Sequence, residues 1–153
     1  MQELINKKQE FRQHMKEKIQ DVGVSVFNKD HNNFLDILLE FHEFVERLSK
    51  HRPSQQDWSK VEKMLVALSG YALEHFKNEE ELMLRFKYPE LIVHKKEHDD
   101  FLRKFTSYKC NLLEKRDILC VVDLKYFMID WFFHHVGRVD VQYRPFFVKC
   151  GVK

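Results

Sequence analysis

The chain has 153 residues, a single-domain length. Its 44% hydrophobic and 33% charged content is that of a folded globular protein and excludes a disordered one. With 26 basic and 24 acidic residues the net charge is +2, which gives no electrostatic footing for nucleic acid or an anionic membrane. Only four Gly and three Pro punctuate the sequence, and apolar residues recur at helical spacing, so the chain reads as all-α. Residues 1–20 are polar, with Leu4, Phe11, Met15 and Ile19 as a thin apolar stripe, and read as a helical N-terminal extension. Residues 21–27 read as a short extended lead-in, and Asn28 is placed to cap a helix running to about Lys50. The core face of that helix is Phe34, Leu35, Leu38, Leu39, Phe41, Val45 and Leu48. Arg52-Pro53-Ser54 breaks the chain, and Ser54 or Asp57 caps a second helix over 55–86. Tyr88-Pro89 marks a turn, with Pro89 at the first position of a third helix that runs to about Glu114. Asp117 opens a fourth, ending near Gly137. Four long helices on short loops predict an up-down-up-down antiparallel four-helix bundle over residues 21–153.

Five of the nine histidines stand in order with two carboxylates: His31, then His75-x-x-x-Glu79, His94-x-x-x-His98 and His135-x-x-x-x-Asp140. Residues four apart on a helix differ by about 40° in direction and ~6 Å in height, so each such pair reaches one point from one helix. In a bundle all four helices contribute to one interior site. Seven donors exceed the need of one ion and suit two. Five imidazole nitrogens, four oxygens of two bridging carboxylates and a solvent bridge fill all but one position of two octahedra. Imidazole with carboxylate selects borderline first-row metals, and thiolate is absent from the pattern. A four-coordinate structural zinc would not use seven ligands. Cys110, Cys120 and Cys150 have no metal-site spacing and read as free thiols of a reducing cytoplasm. No apolar run approaches the ~20 residues of a membrane span, and no signal peptide opens the chain.

Taken singly, each element has a plainer reading: a solvated His–Glu helix pair, a polar helix end, a loop aspartate. Taken together and in order, they carry a resemblance. The stretches Val22-Gly23-Val24, His75-Phe76-x-x-Glu79-Glu80-x-x-Met83, Tyr88-Pro89, His94-x-x-x-His98, Phe101 and Trp131-x-x-x-His135-Val136-x-x-x-Asp140-x-x-Tyr143 resemble hemerythrin, in particular the bacterial hemerythrin-like domains. The resemblance spans roughly residues 21–146. It implies two iron ions: His94, His98 and His135 on one, His31 and His75 on the other, with Glu79, Asp140 and an oxo or hydroxo group as bridges. It further implies that dioxygen binds reversibly on the His31/His75 side, in a pocket lined by Phe34, Phe76, Phe132 and Val136. Phe132 stands where Leu is frequent in the family, and a bulkier ring there narrows the path to the pocket.

The expected function is a non-enzymatic oxygen carrier or store. An oxygen- or redox-sensing module and a di-iron enzyme handling nitric oxide or peroxide are the alternatives. The histidine-rich donor set and an apolar pocket without an acid weigh against the enzyme. His14, His42, His51 and His134 fall outside the pattern; His42 lies ~16 Å along the helix axis from His31.

Overall fold

The computed structural model describes residues 2–153, without the side chain of Leu4. All regular structure among the described residues is helical. The chain forms α1 (Gln2–Glu17), α2 (Ser25–Leu48), α3 (Gln55–Phe86), α4 (Leu91–Lys115) and α5 (Ile118–His134). A π-helical turn (His135–Val139), a 3-10 turn (Asp140–Tyr143) and a short α6 (Arg144–Lys149) follow. Helix α2 packs on α3 and α5, and α4 packs on the same two, so the four long helices close a ring. Their apolar stripes meet inside it. Leu35, Leu38, Val45, Val61, Leu65, Val121, Leu124 and Met128 are buried there.

The helix ends follow local chemistry. Ser54 caps α3 with its side chain on the Asp57 N–H, while Asp57 returns a bond to the Ser54 N–H. Asp117 caps α5 through the Leu119 N–H. Asn28 does not cap α2, which opens three residues earlier at Ser25. Its amide instead ties down the preceding segment, accepting from the Val22 N–H at 2.9 Å and donating to Asp21 Oδ1 at 2.8 Å. The extended lead-in is correspondingly shorter than 21–27. Gly23 within it has φ +79°, and a Cβ there would stand 2.7 Å from the Arg144 side chain. Pro89 lies in the turn before α4 and not at its first residue; Glu90 is the cap. The helix begun at Asp117 changes character at His135 instead of running regularly to Gly137.

Helix α1 docks on α2. Met15 is buried, and Arg12 and Lys16 pair with Glu43 (2.7 Å) and Asp36 (2.8 Å). The Phe11 ring stacks on half-buried His42 with centroids 5.5 Å apart. His14, His51 and His134 are exposed.

The Arg12 hydrogen bond holds the Glu43 carboxyl below its ordinary value. A depressed carboxyl contributes stability above its unfolded-state value and loses it as pH falls through the folded-state value. Arg12→Met should therefore lower stability at neutral pH by no more than about 1 kcal/mol. The difference from wild type should vanish in acid, as read by denaturant titration at the two pH values.

Candidate metal centre

Eight polar or charged side chains are buried among the described residues. One, Lys125, pairs with Glu46. The other seven are His31, His75, Glu79, His94, His98, His135 and Asp140, and they meet in one place. Helix α2 brings His31 in its second turn, not its first, because the helix starts at Ser25. Helix α3 brings His75 and Glu79, and α4 brings His94 and His98, each pair one turn apart.

His135 and Asp140 need a special device. On a regular α-helix five residues turn through about 500°, which leaves the two side chains about 140° apart. Here the Asp140 N–H bonds to the His135 carbonyl, closing a π turn. The wider turn brings Asp140 Oδ1 to 3.0 Å from His135 Nε2.

The donors fall into two sets that share both carboxylates. Donor atoms of Glu79, His94, His98, His135 and Asp140 lie within 4.8 Å of one another, as do those of His31, His75, Glu79 and Asp140. Each carboxylate turns one oxygen to each set. Glu79 Oε1 stands 3.3 Å from His75 Nε2, and Oε2 stands 3.2 Å from His98 Nε2 and 3.4 Å from His94 Nε2. Asp140 Oδ2 stands 3.2 Å from His31 Nε2, and Oδ1 faces His135 and His94.

These spacings are also compatible with metal binding. His31 and His75 approach Nε2 to Nε2 at 3.0 Å, and His98 and His135 at 3.1 Å. Two ligand atoms at ~2.1 Å from one ion and at right angles stand ~3.0 Å apart. Both Asp140 oxygens are buried and lack any hydrogen-bond partner despite the nearby nitrogens. A buried carboxylate left so costs several kcal/mol unless a cation meets it, by the order of magnitude of ion desolvation. The cluster is thus suited to hold metal.

Electrostatics agree. Burial opposes ionisation of Glu79, but His75, His94 and His98 hold its carboxyl well below the ordinary value. Burial and the Glu79 charge push Asp140 up, and His135 and His31 bring it down to about 2. Burial lowers His75, yet Glu79, Asp30 and Asp140 outweigh it and raise the imidazole to about 10. Two ionised carboxylates in a closed interior attract positive charge, as protons or as metal.

Supports outside the seven donors surround the cluster, and of these only Asp30 was absent from the stretches that carry the resemblance. Asp30 Oδ2 lies 3.0 Å from His75 Nδ1, and Glu80 Oε1 lies 2.9 Å from His98 Nδ1. A carboxylate on the far nitrogen fixes ring orientation and leaves Nε2 free for an ion. Both acids sit directly beside members of the pattern, as Asp30-His31 and Glu79-Glu80, and that adjacency was the available signal. Phe76 stacks on His98 at 3.9 Å and 7°, and Trp131 stacks on His135 at 4.3 Å and 13°, so two imidazoles are held flat against aromatic faces. The Tyr143 hydroxyl donates to Glu79 Oε1 at 2.7 Å.

Beside the cluster lies a cavity lined by Phe34, Phe76, Phe132 and Val136 together with Tyr71, Ala72 and Trp131. It reaches His31, His75, His135 and Asp140 but not Glu79, His94 or His98. It holds about 20 Å³, against the ~10–15 Å³ that one water needs by the same measure. One small molecule fits.

Residues 22–147 match the hemerythrin HHE cation-binding domain. The chain belongs to the hemerythrin family. Bacteriohemerythrin from Clostridium acetobutylicum is 24% identical over 123 residues, covering 80% of this chain and 92% of that protein. Bacteriohemerythrin from Aquifex aeolicus is 28% identical over 124 residues, covering 80% and 88%. A crystal structure of wild-type hemerythrin aligns with TM-score 0.69 and 25% identity over 81% of this chain and 88% of that chain. The hemerythrin match leaves out all of α1 and takes in every residue of the buried cluster.

The π turn generates a test. One alanine inserted after Gly137 turns Asp140 by about 100° off the cluster. The variant should bind less metal than wild type, counted by elemental analysis; an unchanged count contradicts the role given to the turn.

Proposed function

We propose that the chain binds dioxygen reversibly at a pair of iron ions held between its helices, as a carrier or store and not as an enzyme. The observation that carries this reading is that both Glu79 and Asp140 face one oxygen to each of two histidine sets, beside a small apolar cavity. His94, His98 and His135 would hold one ion, His31 and His75 the other, and Glu79 and Asp140 would be shared between them. Imidazole and carboxylate without thiolate suit iron. When bound, the iron pair supplies the electrons and the open coordination position with which dioxygen is held and released.

The remaining tasks belong to the chain's own side chains. The ring of four helices is read as an up-down-up-down antiparallel bundle over residues 21–153, with residues 1–20 as its extension; short connections between neighbours support that topology. Asp30 and Glu80 keep the His75 and His98 rings aimed inward. Phe34, Phe76, Phe132 and Val136 exclude water from the cavity on the side of His31 and His75. Apart from the cluster, Tyr71 is the one cavity residue with an O–H, and that hydroxyl is turned to Asp30 at 3.4 Å. The lining therefore offers no free acid to protonate an oxygen ligand and drive its cleavage, which favours binding over oxidation.

A cytoplasmic location fits the three unpaired cysteines. Among the described residues no helix is long and apolar enough to cross a membrane.

The direct test is an anaerobic iron count followed by an absorption spectrum on admitting air. Two irons per chain and a visible band that disappears under vacuum are expected. A band that fails to reverse, or turnover of peroxide or nitric oxide, contradicts the carrier reading. Phe132 stacks on Phe34 at 5.6 Å and closes one wall of the cavity. Phe132→Leu should speed oxygen release in stopped flow, and an unchanged rate removes the ring's gating role.

A further inference from the structure

Tyr143 stands outside the seven clustered donors but touches one of them. It lies in the 3-10 turn that begins at Asp140, and it is completely buried. Its hydroxyl donates to Glu79 Oε1 at 2.7 Å. The two oxygens of Glu79 are not equivalent. Oε1 faces His75 at 3.3 Å and His31 at 4.0 Å, whereas Oε2 faces His94 and His98. The hydroxyl therefore falls on the oxygen of the His31/His75 set, which is also the set beside the cavity.

The ring is not free to leave. Phe27 meets it at 6.2 Å, Tyr88 at 6.5 Å and Phe147 of α6 at 5.2 Å, all near edge-on. Phe147 is itself fully buried. The C-terminal helix thus acts as a backstop that presses Tyr143 toward Glu79.

We infer that Tyr143 is a positioning residue of the metal centre, pinning Glu79 so that Oε1 faces the cavity side and withdrawing charge from that oxygen. The inference rests on the iron pair proposed above. A hydrogen bond to a carboxylate oxygen weakens that oxygen as a donor to a cation. The ion on the cavity side is then favoured in its lower oxidation state, the state poised to take up oxygen. Loss of the hydroxyl shifts the balance toward the oxidised protein.

The test compares Tyr143→Phe with Tyr88→Phe, a neighbouring ring whose hydroxyl does not touch the cluster. Iron content and the ratio of oxidised to reduced protein in a fixed redox buffer are measured for both variants and wild type. Tyr143→Phe should raise that ratio about fivefold, a fraction of the strength of a charge-assisted hydrogen bond. Tyr88→Phe should leave it unmoved. Loss of iron from Tyr143→Phe alone also supports the pinning role. An unchanged ratio at full iron content overturns the inference and leaves the proposed function standing, as does an equal shift in Tyr88→Phe. A wild-type chain that takes up no iron overturns both.

Discussion

Two ionised carboxylates, Glu79 and Asp140, sit at zero exposure between the helices. No arrangement of the chain can leave them there without positive charge close by. Five imidazoles surround them, and neutral imidazole carries none. The balance must come from protons on the histidines or from cations between the donors. The raised value of His75 shows the first route available to the bare cluster. The unpartnered oxygens of Asp140 favour the second. Every other feature of the interior is arranged around this one requirement.

The surroundings bear this out. Apart from the Lys125–Glu46 pair, buried polarity among the described residues is spent on the cluster, and the rest of the interior is aliphatic and aromatic. Helices α2, α3 and α4 and the turns that follow α5 each deliver part of the donor set, so the cluster joins elements that would otherwise meet only through apolar packing. Stacked Phe76 and Trp131 hold the His98 and His135 rings, while Asp30 orients a third, His75, and Glu80 backs His98 a second time. The cavity touches His31, His75, His135 and Asp140 and does not reach Glu79, His94 or His98.

Much of this was legible in the sequence because helices obey a simple period. The spacing of four in His75–Glu79 and His94–His98 puts each pair on one face wherever the helix sits. The Pro53-Ser54 break and Asp117 marked helix starts because capping is chemistry local to a few residues. What stayed hidden depends on distant contacts or on irregular backbone. Asn28 has the composition of a cap, yet its amide is drawn to Asp21 and Val22, which only the fold of the lead-in sets in reach. The five-residue spacing of His135 and Asp140 fits no regular α-helical face, and the π turn that reconciles it leaves no periodic signature. Helix α6 is too short to show a period, but it seats Phe147 behind Tyr143. Asp30 and Glu80 had no assigned role in the sequence, because their contacts to the far nitrogens of His75 and His98 depend on how the helices pack.

In the proposed function, two cations replace protons as the partners of Glu79 and Asp140. The most direct measurement is an anaerobic titration of the metal-free chain with ferrous iron, followed by thermal melting at each step. Metal bound only by the folded state must raise its stability. Saturation at two irons per chain is expected, with Tm rising until that point and not beyond. Saturation at one ion, or uptake that leaves Tm unchanged, would contradict the proposed function.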